Sequence, residues 1–406
     1  MLINQRVKVK YFMIRKSLIL KIFSAAYMQR WNDKLRPIEL IELDKQAHKM
    51  FIAYFLGKFE ENKPGFSWIE IIEGGIFEML QRIVITDIKP PVFYKIKADP
   101  KKYKLLNKFV YDNLETIISP LGEDFCNRFI KYFEEDKPSI NKKILEAAHN
   151  YASRWEFEII ERLNPNGYEV QDIKREFIER IEKYNDLEGM KQLALNNNYK
   201  NFIELCGHLR FQARWSHLHR IPKTSVLGHS LFVAILSYLF SLEIDACSVR
   251  CSNNFFQGLF HDLPEVLTRD IISPIKSSVE GLSDLIKEIE KEQMEKQLYP
   301  LVPKEFLSEM RMFIESEFEN VVLIDGKAEN KTCEEINEKY NEDKYSPRDG
   351  RIIKASDELA AFIEAKVAIE NGAVSEEFQE AKLNIKARYN GKHIAGINFG
   401  EIFADF

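Results

Sequence analysis

Apolar residues recur at three- and four-residue spacing along most of the chain, which is the periodicity of amphipathic helices. The segments KEFLSEMRMFIESEFENVV (304–322) and IIKASDELAAFIEAKVAI (352–369) show it most clearly. Alternating strand patterns are scarce, and the 17 glycines and 14 prolines among the 406 residues mainly mark breaks between helical runs. The pattern therefore predicts an all-α protein.

The longest apolar run, VLGHSLFVAILSYLFSL (226–242), includes His229. No run reaches the roughly 20 apolar residues that a membrane-spanning helix needs, so we expect no membrane segment. Residues 1–30 contain seven basic side chains and no acidic one. Their apolar stretch is short and interrupted, which favours an amphipathic first helix over a targeting peptide.

Segments of the first half recur in the second half in the same order. The matches are Arg-Trp at 30–31 and 214–215, 47–59 with 228–240, 76–92 with 259–275, and 144–158 with 352–366. They pair His48 with His229, Asp87 with Asp270 and His149 with Asp357. The offsets are 184, 181, 183 and 208 residues, so the second half carries about 25 extra residues before Asp357. We therefore predict two tandem repeats, 1–195 and 196–406.

Side chains with the character of metal ligands appear in order in the second repeat: His229, His261, Asp262 and Asp357. Imidazole nitrogen and carboxylate oxygen suit one divalent transition metal such as Mn, Fe, Co, Ni or Zn. The adjacent His261 and Asp262 can share an ion only at a helix end or an irregular turn, because neighbouring side chains diverge on a regular helix.

Other groups nearby suit the chemistry of a phosphate ester. Glu265 follows His261 by four residues on the same helical face, where it can act as acid or base on a metal-activated water. Asp270 precedes a proline and is suited to orient that water or a leaving group. Arg214 offers a planar fork of donors for a phosphate, and Trp215 either stacks on a sugar or base or packs in the core.

Charge and cysteine content narrow the classes of function. The net charge is −5, so no global basic field favours binding to a nucleic-acid polymer or a membrane surface. Of the five cysteines only Cys247 and Cys251 lie close together, and no second pair completes a zinc site. We expect reduced, buried thiols and a cytoplasmic protein.

These motifs resemble those of the HD-domain metal-dependent phosphohydrolases, whose signature is the ordered set H…HD…D. The similarity is to the bacterial 5′-deoxynucleotidase branch, through RW (214–215), TSVLGHSLFVA (224–234), HDLPEVLTRDIISPIK (261–276) and KASDELAAF (354–362). The resemblance covers about residues 200–385, and it reaches 17–165 only through the repeat.

The resemblance implies an HD-domain helical bundle with one metal ion held by His229, His261, Asp262 and Asp357. It implies phosphate binding by Arg214 beside Trp215, with Glu265 and Asp270 as catalytic groups. The implied reaction is hydrolysis of a nucleoside 5′-monophosphate, favouring deoxyribose, with cobalt, manganese or copper as activators. Family members often work as dimers, so the two repeats are expected to form an intramolecular pseudo-dimer, while a homodimer stays open.

Two positions depart from the family pattern and bear on the substrate. Gly228 stands where the family often has Glu, and Arg269 stands where it usually has Gly. A glycine there often serves a left-handed backbone, which Arg269 adopts only at a cost; its side chain can also turn a second cation towards the substrate. An HD hydrolase acting on nucleoside di- or triphosphates and a non-catalytic nucleotide- or metal-binding regulatory protein therefore stay open as alternatives.

The first repeat retains little of this chemistry. Glu78 and Met79 stand where the second repeat has His261 and Asp262, and Arg82 stands in place of Glu265. We expect a degenerate HD domain, kept for packing or regulation, that holds no metal. A zinc site formed by His48, Glu78 and His149 is the alternative.

Overall fold

Helices make up most of the chain in the computed structural model, which describes residues 14–86, 88–134, 139–269 and 279–406. The prediction of an all-α protein is therefore confirmed. The first half contains α1 (Lys16–Phe23), α2 (Glu42–Lys58), α3 (Trp68–Ile85), α4 (Pro90–Lys97), α5 (Pro100–Ile118), α6 (Glu123–Glu134), α7 (Ile140–Leu163), α8 (Val170–Glu182) and α9 (Glu188–Leu195).

The second half begins with α10 (Asn197–His208), α11 (Val226–Glu243), α12 (Ser248–Phe260) and α13 (Glu265–Thr268). It continues with α14 (Leu282–Gln293), α15 (Lys304–Glu315), α16 (Cys333–Glu335), α17 (Gly350–Glu370), α18 (Glu376–Tyr389) and α19 (Phe399–Ala404). The strands are β1 (Gln29–Arg30), β2 (Leu40–Ile41), β3 (Asn320–Ile324), β4 (Lys327–Asn330), β5 (Arg348–Asp349), β6 (His393–Ile394) and β7 (Ile397–Asn398).

The helix expected over 304–322 ends early, and this is a correction to the helical pattern. Helix α15 stops at Glu315, and β3 pairs antiparallel with both β4 and β5. The connection between β3 and β4 is Asp325-Gly326, and both residues have positive φ (50° and 75°). An Asp-Gly pair with this backbone closes a tight hairpin, and the β-branched run before it suits a strand.

One hydrophobic core runs through both halves. Tyr54 and Phe51 of α2 meet Phe260 of α12, each with ring centroids 4.9 Å apart, and Trp68 of α3 lies 4.9 Å from Phe256. The predicted boundary falls at Asn196, which caps α10 by accepting a hydrogen bond from the backbone N–H of Asn198. Because the core spans this point, the division into 1–195 and 196–406 stays a prediction.

Helix α11 lies at the centre of this core and packs against α2, α12 and α17. Ser225 caps its start by accepting a hydrogen bond from the backbone N–H of Gly228. By length and composition this helix could cross a membrane, but 89% of it is buried inside the protein, and no other described helix passes that test. Its apolar sequence is therefore explained by its position in the core.

Candidate metal centre and phosphate site

Two helices of the second half bring His229 and Asp357 together. The Nε2 atom of the buried His229 on α11 lies 3.1 Å from Oδ1 of Asp357 on α17. The same nitrogen lies 3.7 Å from Oδ2 of Asp262. Atoms of His229, His261 and Asp357 lie within 4.8 Å of one another, a spacing that suits ligands of one metal ion.

His261 and Asp262 lie where α12 ends, as the sequence required. His261 is the C-cap residue of α12, and its Nδ1 lies 2.8 Å from the carbonyl oxygen of Gly258. That contact holds a proton on Nδ1 and turns Nε2 towards the carboxylates, 3.2 Å from Oδ1 of Asp262. This Nε2 is buried without a well-formed hydrogen bond among the described residues, so it can serve as a metal ligand once its proton is displaced.

The charge state of the cluster also favours a cation. Burial opposes ionisation of Asp262, but His261 outweighs it and lowers the pKa of this carboxyl to about 2. Burial likewise raises the pKa of Asp357, while Lys354 and His229 hold it well below its usual range. Burial lowers the pKa of His261, but Asp262 and Asp357 raise it to about 9. Two ionised carboxylates thus face two imidazoles, and a metal ion would have to displace the proton from His261.

Comparison with known proteins agrees with this arrangement. Residues 206–386 match the family model described as HD domain. These residues form an HD domain. HD domains bind divalent metal ions, and the donors in this one fit such an ion, although they do not distinguish Mn, Fe, Co, Ni, Zn or Cu.

Three curated bacterial proteins similar to this HD domain are each described as a 5′-deoxynucleotidase. A 5′-deoxynucleotidase of Pasteurella multocida is 24% identical over 197 residues, covering 46% of this chain and 82% of that protein. A 5′-deoxynucleotidase of Pectobacterium atrosepticum is 23% identical over 214 residues, covering 50% and 88%. One of Vibrio atlanticus is 24% identical over 190 residues, covering 46% and 82%. The protein is an HD-family phosphohydrolase that resembles the 5′-deoxynucleotidase branch.

Arg214 and Trp215 lie beside the metal ligands and share one carboxylate. Glu364 on α17 accepts hydrogen bonds from Nε of Arg214 (3.1 Å) and from the indole N–H of Trp215 (2.9 Å). Nη1 of Arg214 lies 3.7 Å from Oδ2 of Asp262, so the guanidinium borders the metal centre. The centre of the Trp215 ring lies 5.1 Å from that of Phe378, so this side chain packs within the protein, which is one of its two expected roles.

Glu364 is a residue of the site that the sequence reasoning missed. Its Oε1 accepts a hydrogen bond from Thr224 (2.7 Å) and lies 3.7 Å from Nδ1 of His229, so its charge faces the back of that ring. Burial would raise its pKa, but Arg214 and Arg220 hold it well below its usual range. A signal was present in the sequence, because a glutamate follows the paired positions His149 and Asp357 by seven residues in both repeats.

Lys354, Glu317 and Phe318 were also missed. Nζ of Lys354 donates to Oδ2 of Asp357 (3.0 Å) and lies 4.5 Å from the ring of Phe318. Burial and the charge of Asp262 raise the pKa of Glu317 to about 7, against the opposing effect of His261. Glu317 and Phe318 belong to the segment present only in the second half, so no repeat partner indicated them.

The structure locates the remaining predicted residues less closely. Glu265 begins α13 and is buried, and its carbonyl oxygen accepts a hydrogen bond from Gln212 (2.8 Å). Arg269 has a φ of 68°, which is the backbone expected from the glycine of the family pattern. Asp270 and Asp87 lie outside the described residues. The catalytic and substrate-binding roles of these positions stay predictions.

The first half repeats the geometry of the Arg-Trp segment. The bridge from Gln29 to Ile41 becomes the bridge from Ala213 to Ser225, a shift of 184 residues at both positions. Trp31 and Trp215 have φ values of 58° and 55°. Glu156 accepts from Nε of Arg30 (2.8 Å) and from the indole of Trp31 (3.0 Å), as Glu364 does for Arg214 and Trp215.

This register corrects the pairing of His48 with His229. A shift of 184 residues places Lys45 opposite His229, and Nζ of Lys45 lies 2.7 Å from Nδ1 of His149. His48 instead points away from that cluster, with Nε2 3.0 Å from the carbonyl oxygen of Ile203 and its ring 5.0 Å from Trp155. The alignment was three residues off because α2 is buried on nearly every side, with polar and apolar residues alike in the core, so its hydrophobic pattern does not fix the register.

Cations fill the place of the metal ligands in the first half. Nζ of Lys49 forms a 2.5 Å ion pair with Glu78, which also accepts a 2.6 Å hydrogen bond from Tyr132. Burial lowers the pKa of Lys45 to about 7, and burial together with Lys45 holds the pKa of His149 well below its usual range. The zinc site considered for His48, Glu78 and His149 is therefore not formed, because His48 lies elsewhere and two lysines occupy the cluster.

Proposed function

We propose that the second half hydrolyses the phosphomonoester of a nucleoside 5′-monophosphate, with deoxyribose favoured, and that one divalent transition metal supports the reaction. The observation that carries the proposal is the set of two buried imidazoles and two partly buried, ionised carboxylates beside Arg214. The names of the 5′-deoxynucleotidase relatives support the substrate class.

His229, His261, Asp262 and Asp357 would hold the ion. When bound, a divalent ion supplies Lewis acidity, which polarises a phosphate oxygen and makes water more acidic. Lys354 would hold Asp357 in position through its hydrogen bond, and the carboxylate of Glu364 would act on His229 through its charge. These contacts reduce the reorganisation that ligand side chains would otherwise undergo.

Other side chains of this half would then act on the substrate. Arg214 orients the phosphate, because its guanidinium is fixed by Glu364 at one edge and borders Asp262 at the other. Glu265 exchanges a proton with the attacking water or the leaving oxygen, and Asp270 orients the sugar end. Trp215 and Arg269 flank the substrate.

A nucleoside di- or triphosphate is the alternative substrate, and a non-catalytic regulator is the alternative class. The specific feature behind the first is Arg269, a cation where the family pattern has glycine. The change at Gly228 has a different origin, since a Cβ there would come within 2.7 Å of Oδ1 of Asp44 from the first half. Gly228 therefore bears on the contact between halves rather than on the choice of substrate.

We further infer that the first half is a degenerate copy that binds no metal and acts as a built-in partner subunit. Its Asp44 accepts a 2.6 Å hydrogen bond from Ser225, the cap of α11, and its Glu156 accepts a 3.0 Å hydrogen bond from Arg210. Both contacts join the halves as a dimer interface would. Free cysteines at all five positions support a cytoplasmic location.

The test is phosphate release by the full chain, loaded with Mn²⁺ or Co²⁺, from ribo- and deoxyribonucleoside mono-, di- and triphosphates. We expect release from monophosphates and almost none from an Asp262→Asn variant. Pyrophosphate or triphosphate products from the longer nucleotides would favour the alternative substrate. Equal background release by the wild type and Asp262→Asn, with nucleotide still bound, would leave the regulator as the correct reading.

Metal analysis tests the assignment of the two halves separately from activity. We expect one equivalent of metal per chain and none in His229→Lys, which introduces the residue found at position 45. Two equivalents in the wild type would contradict the degenerate first half. A His229→Lys protein that unfolds is uninformative by itself, so Asp357→Asn serves as the milder second variant.

A further inference from the structure

A basic cleft of about 470 Å³ lies next to the metal centre but outside it. It opens between the start of α17, the end of α18 and the β6–β7 hairpin. Its volume falls in the range of small-molecule sites, roughly 300–1,000 Å³. The residues from Arg388 to Ala395 that line one side lie beyond the segment 206–386 that matches the family model.

The cleft carries more positive than negative charge. Arg351, Lys354, Arg388 and Lys392 line it, against the carboxylates of Glu334 and Glu358. Arg388 is paired with Glu358 at 3.3 Å. Within the described parts of the chain, neither Arg351 nor Lys392 forms an ion pair with an acidic side chain. Two cations that line the same cleft are therefore available to an incoming anion.

The floor of the cleft is rigid and partly apolar. Tyr389 is buried, and Nζ of Lys392 lies 5.4 Å from the centre of its ring. Ala395 is also buried, and its carbonyl oxygen accepts a 3.0 Å hydrogen bond from Asn337, which fixes the tip of the hairpin. A preformed surface of this kind lowers the entropy lost when a ligand binds.

Lys354 connects the cleft to the metal centre. Its side chain lines the cleft, while its Nζ donates to Oδ2 of the metal ligand Asp357 at 3.0 Å. An anion that attracts this ammonium group changes the charge felt by Asp357. Binding in the cleft and binding of the metal ion are then linked, and each alters the affinity of the other by the same factor.

We propose that this cleft is a second binding site for a small molecule with two or more phosphate groups, separate from the substrate site. Phosphate is the matching anion because guanidinium groups bind it through paired hydrogen bonds, and two cations without an acidic partner suit a ligand with more than one anionic group. The proposal goes beyond the hydrolytic activity and does not depend on which nucleotide is cleaved.

The experiment is equilibrium dialysis of the full chain against labelled inorganic pyrophosphate at about 0.15 M salt, where weak surface attraction is screened. It compares the wild type, Asp262→Asn, the double variant Arg351→Ala/Lys392→Ala and the control double variant Lys304→Ala/Lys327→Ala. The two double variants remove the same charge, and the control residues are exposed and lie outside the cleft.

We expect Asp262→Asn to retain pyrophosphate binding, the cleft variant to weaken it about tenfold or more, and the control variant to stay within twofold of wild type. Thermal unfolding midpoints within about 2 °C of wild type would show that the exposed substitutions leave the fold intact. Loss of binding in Asp262→Asn with retention in the cleft variant would place the anion at the metal centre and overturn the proposal. Equal weakening by both double variants, or no saturable binding, would overturn it as well.

Discussion

The two halves of the chain share the geometry of the Arg-Trp segment, but the side chains beside it differ in charge. In the second half, Nε2 of His229 lies 3.1 Å from a carboxylate oxygen of Asp357. At the corresponding place in the first half, Nζ of Lys45 lies 2.7 Å from Nδ1 of His149. One pair leaves negative charge for an external cation, whereas the other brings its own cation on a lysine side chain.

What both halves keep is the Arg-Trp segment and the glutamate that holds it. Arg30 also bonds to Glu42 through Nη1 (2.6 Å), and position 226, 184 residues later, is Val. Nη1 of Arg214 lies instead 3.7 Å from Asp262. Val226 offers no side-chain acceptor at the place where Glu42 accepts from Arg30, and Nη1 of Arg214 borders the metal centre instead.

The largest expected difference between the halves comes from substitution of Asp357 and of His149. Asp357→Ala removes a metal ligand, and we expect kcat to fall by at least about 10³-fold together with loss of bound metal. His149→Ala, at the matching place, should change kcat by less than about threefold. Steady-state kinetics and metal analysis of both variants check this, and a comparable loss in His149→Ala would show that the first half takes part in catalysis.

Glu364 and Glu156, the glutamates that bind the two Arg-Trp segments, offer the next contrast. Glu364→Gln weakens the hold on Arg214 and Trp215, so we expect kcat/KM to fall by about 10²-fold, the scale of losing one oriented donor. Glu156→Gln should lower stability while kcat/KM stays within about threefold of wild type. An unchanged kcat/KM in Glu364→Gln would mean that Arg214 is structural in both halves.

Asp44 tests the contact between the halves through pH. Burial raises the pKa of this carboxyl to about 6, with Arg210 and the Ser225 hydrogen bond opposing the shift. A carboxyl with a raised folded-state pKa favours folding at low pH and loses that contribution as pH rises from about 4 to 6.

We therefore expect Asp44→Asn to be more stable than wild type by about 2 kcal/mol at pH 7.5 and by about 1 kcal/mol at pH 5. Asparagine keeps the acceptor for Ser225. Urea unfolding at both pH values measures the gap, with the exposed Asp284→Asn as a control that should show no such change. A gap that widens towards pH 5 would contradict the sign.

The smallest effect concerns one strained residue in each half. Arg269 and Thr86 have φ values of 68° and 54°, at positions where glycine would relieve the backbone. We expect Arg269→Gly and Thr86→Gly to raise the free energy of unfolding by about 1 kcal/mol each. Gly372→Ala is the matched opposite change, since Gly372 has a φ of 90° with open space around it, and it should destabilise. Lower stability in both glycine variants would show that side-chain contacts outweigh the strain.

The metal centre was predictable because its residue types and their order are written in the chain. Imidazole and carboxylate groups are recognisable as candidate metal ligands from the residue type alone, as at His229, His261, Asp262 and Asp357. The adjacent His261 and Asp262 could converge only at the end of a helix. The strand Asn320–Ile324 was missed because its short β-branched run sits inside an apolar pattern that also fits a helix. Lys354 and Glu317 were missed because a charged side chain gives no sign in the sequence of what it faces.

The sequence by itself determined the helical class, the candidate metal ligands and the absence of the His-Asp pair from the first half. Hydrophobic periodicity and residue chemistry are local properties, so they can be recognised from the sequence without a structure. Only the tertiary structure decided that Lys45 rather than His48 lies opposite His229, that Glu364 holds Arg214, and that Asp44 reaches Ser225. Each of these depends on the rotation and register of a buried helix against its neighbours, and a helix that is buried on nearly every side leaves that choice to packing.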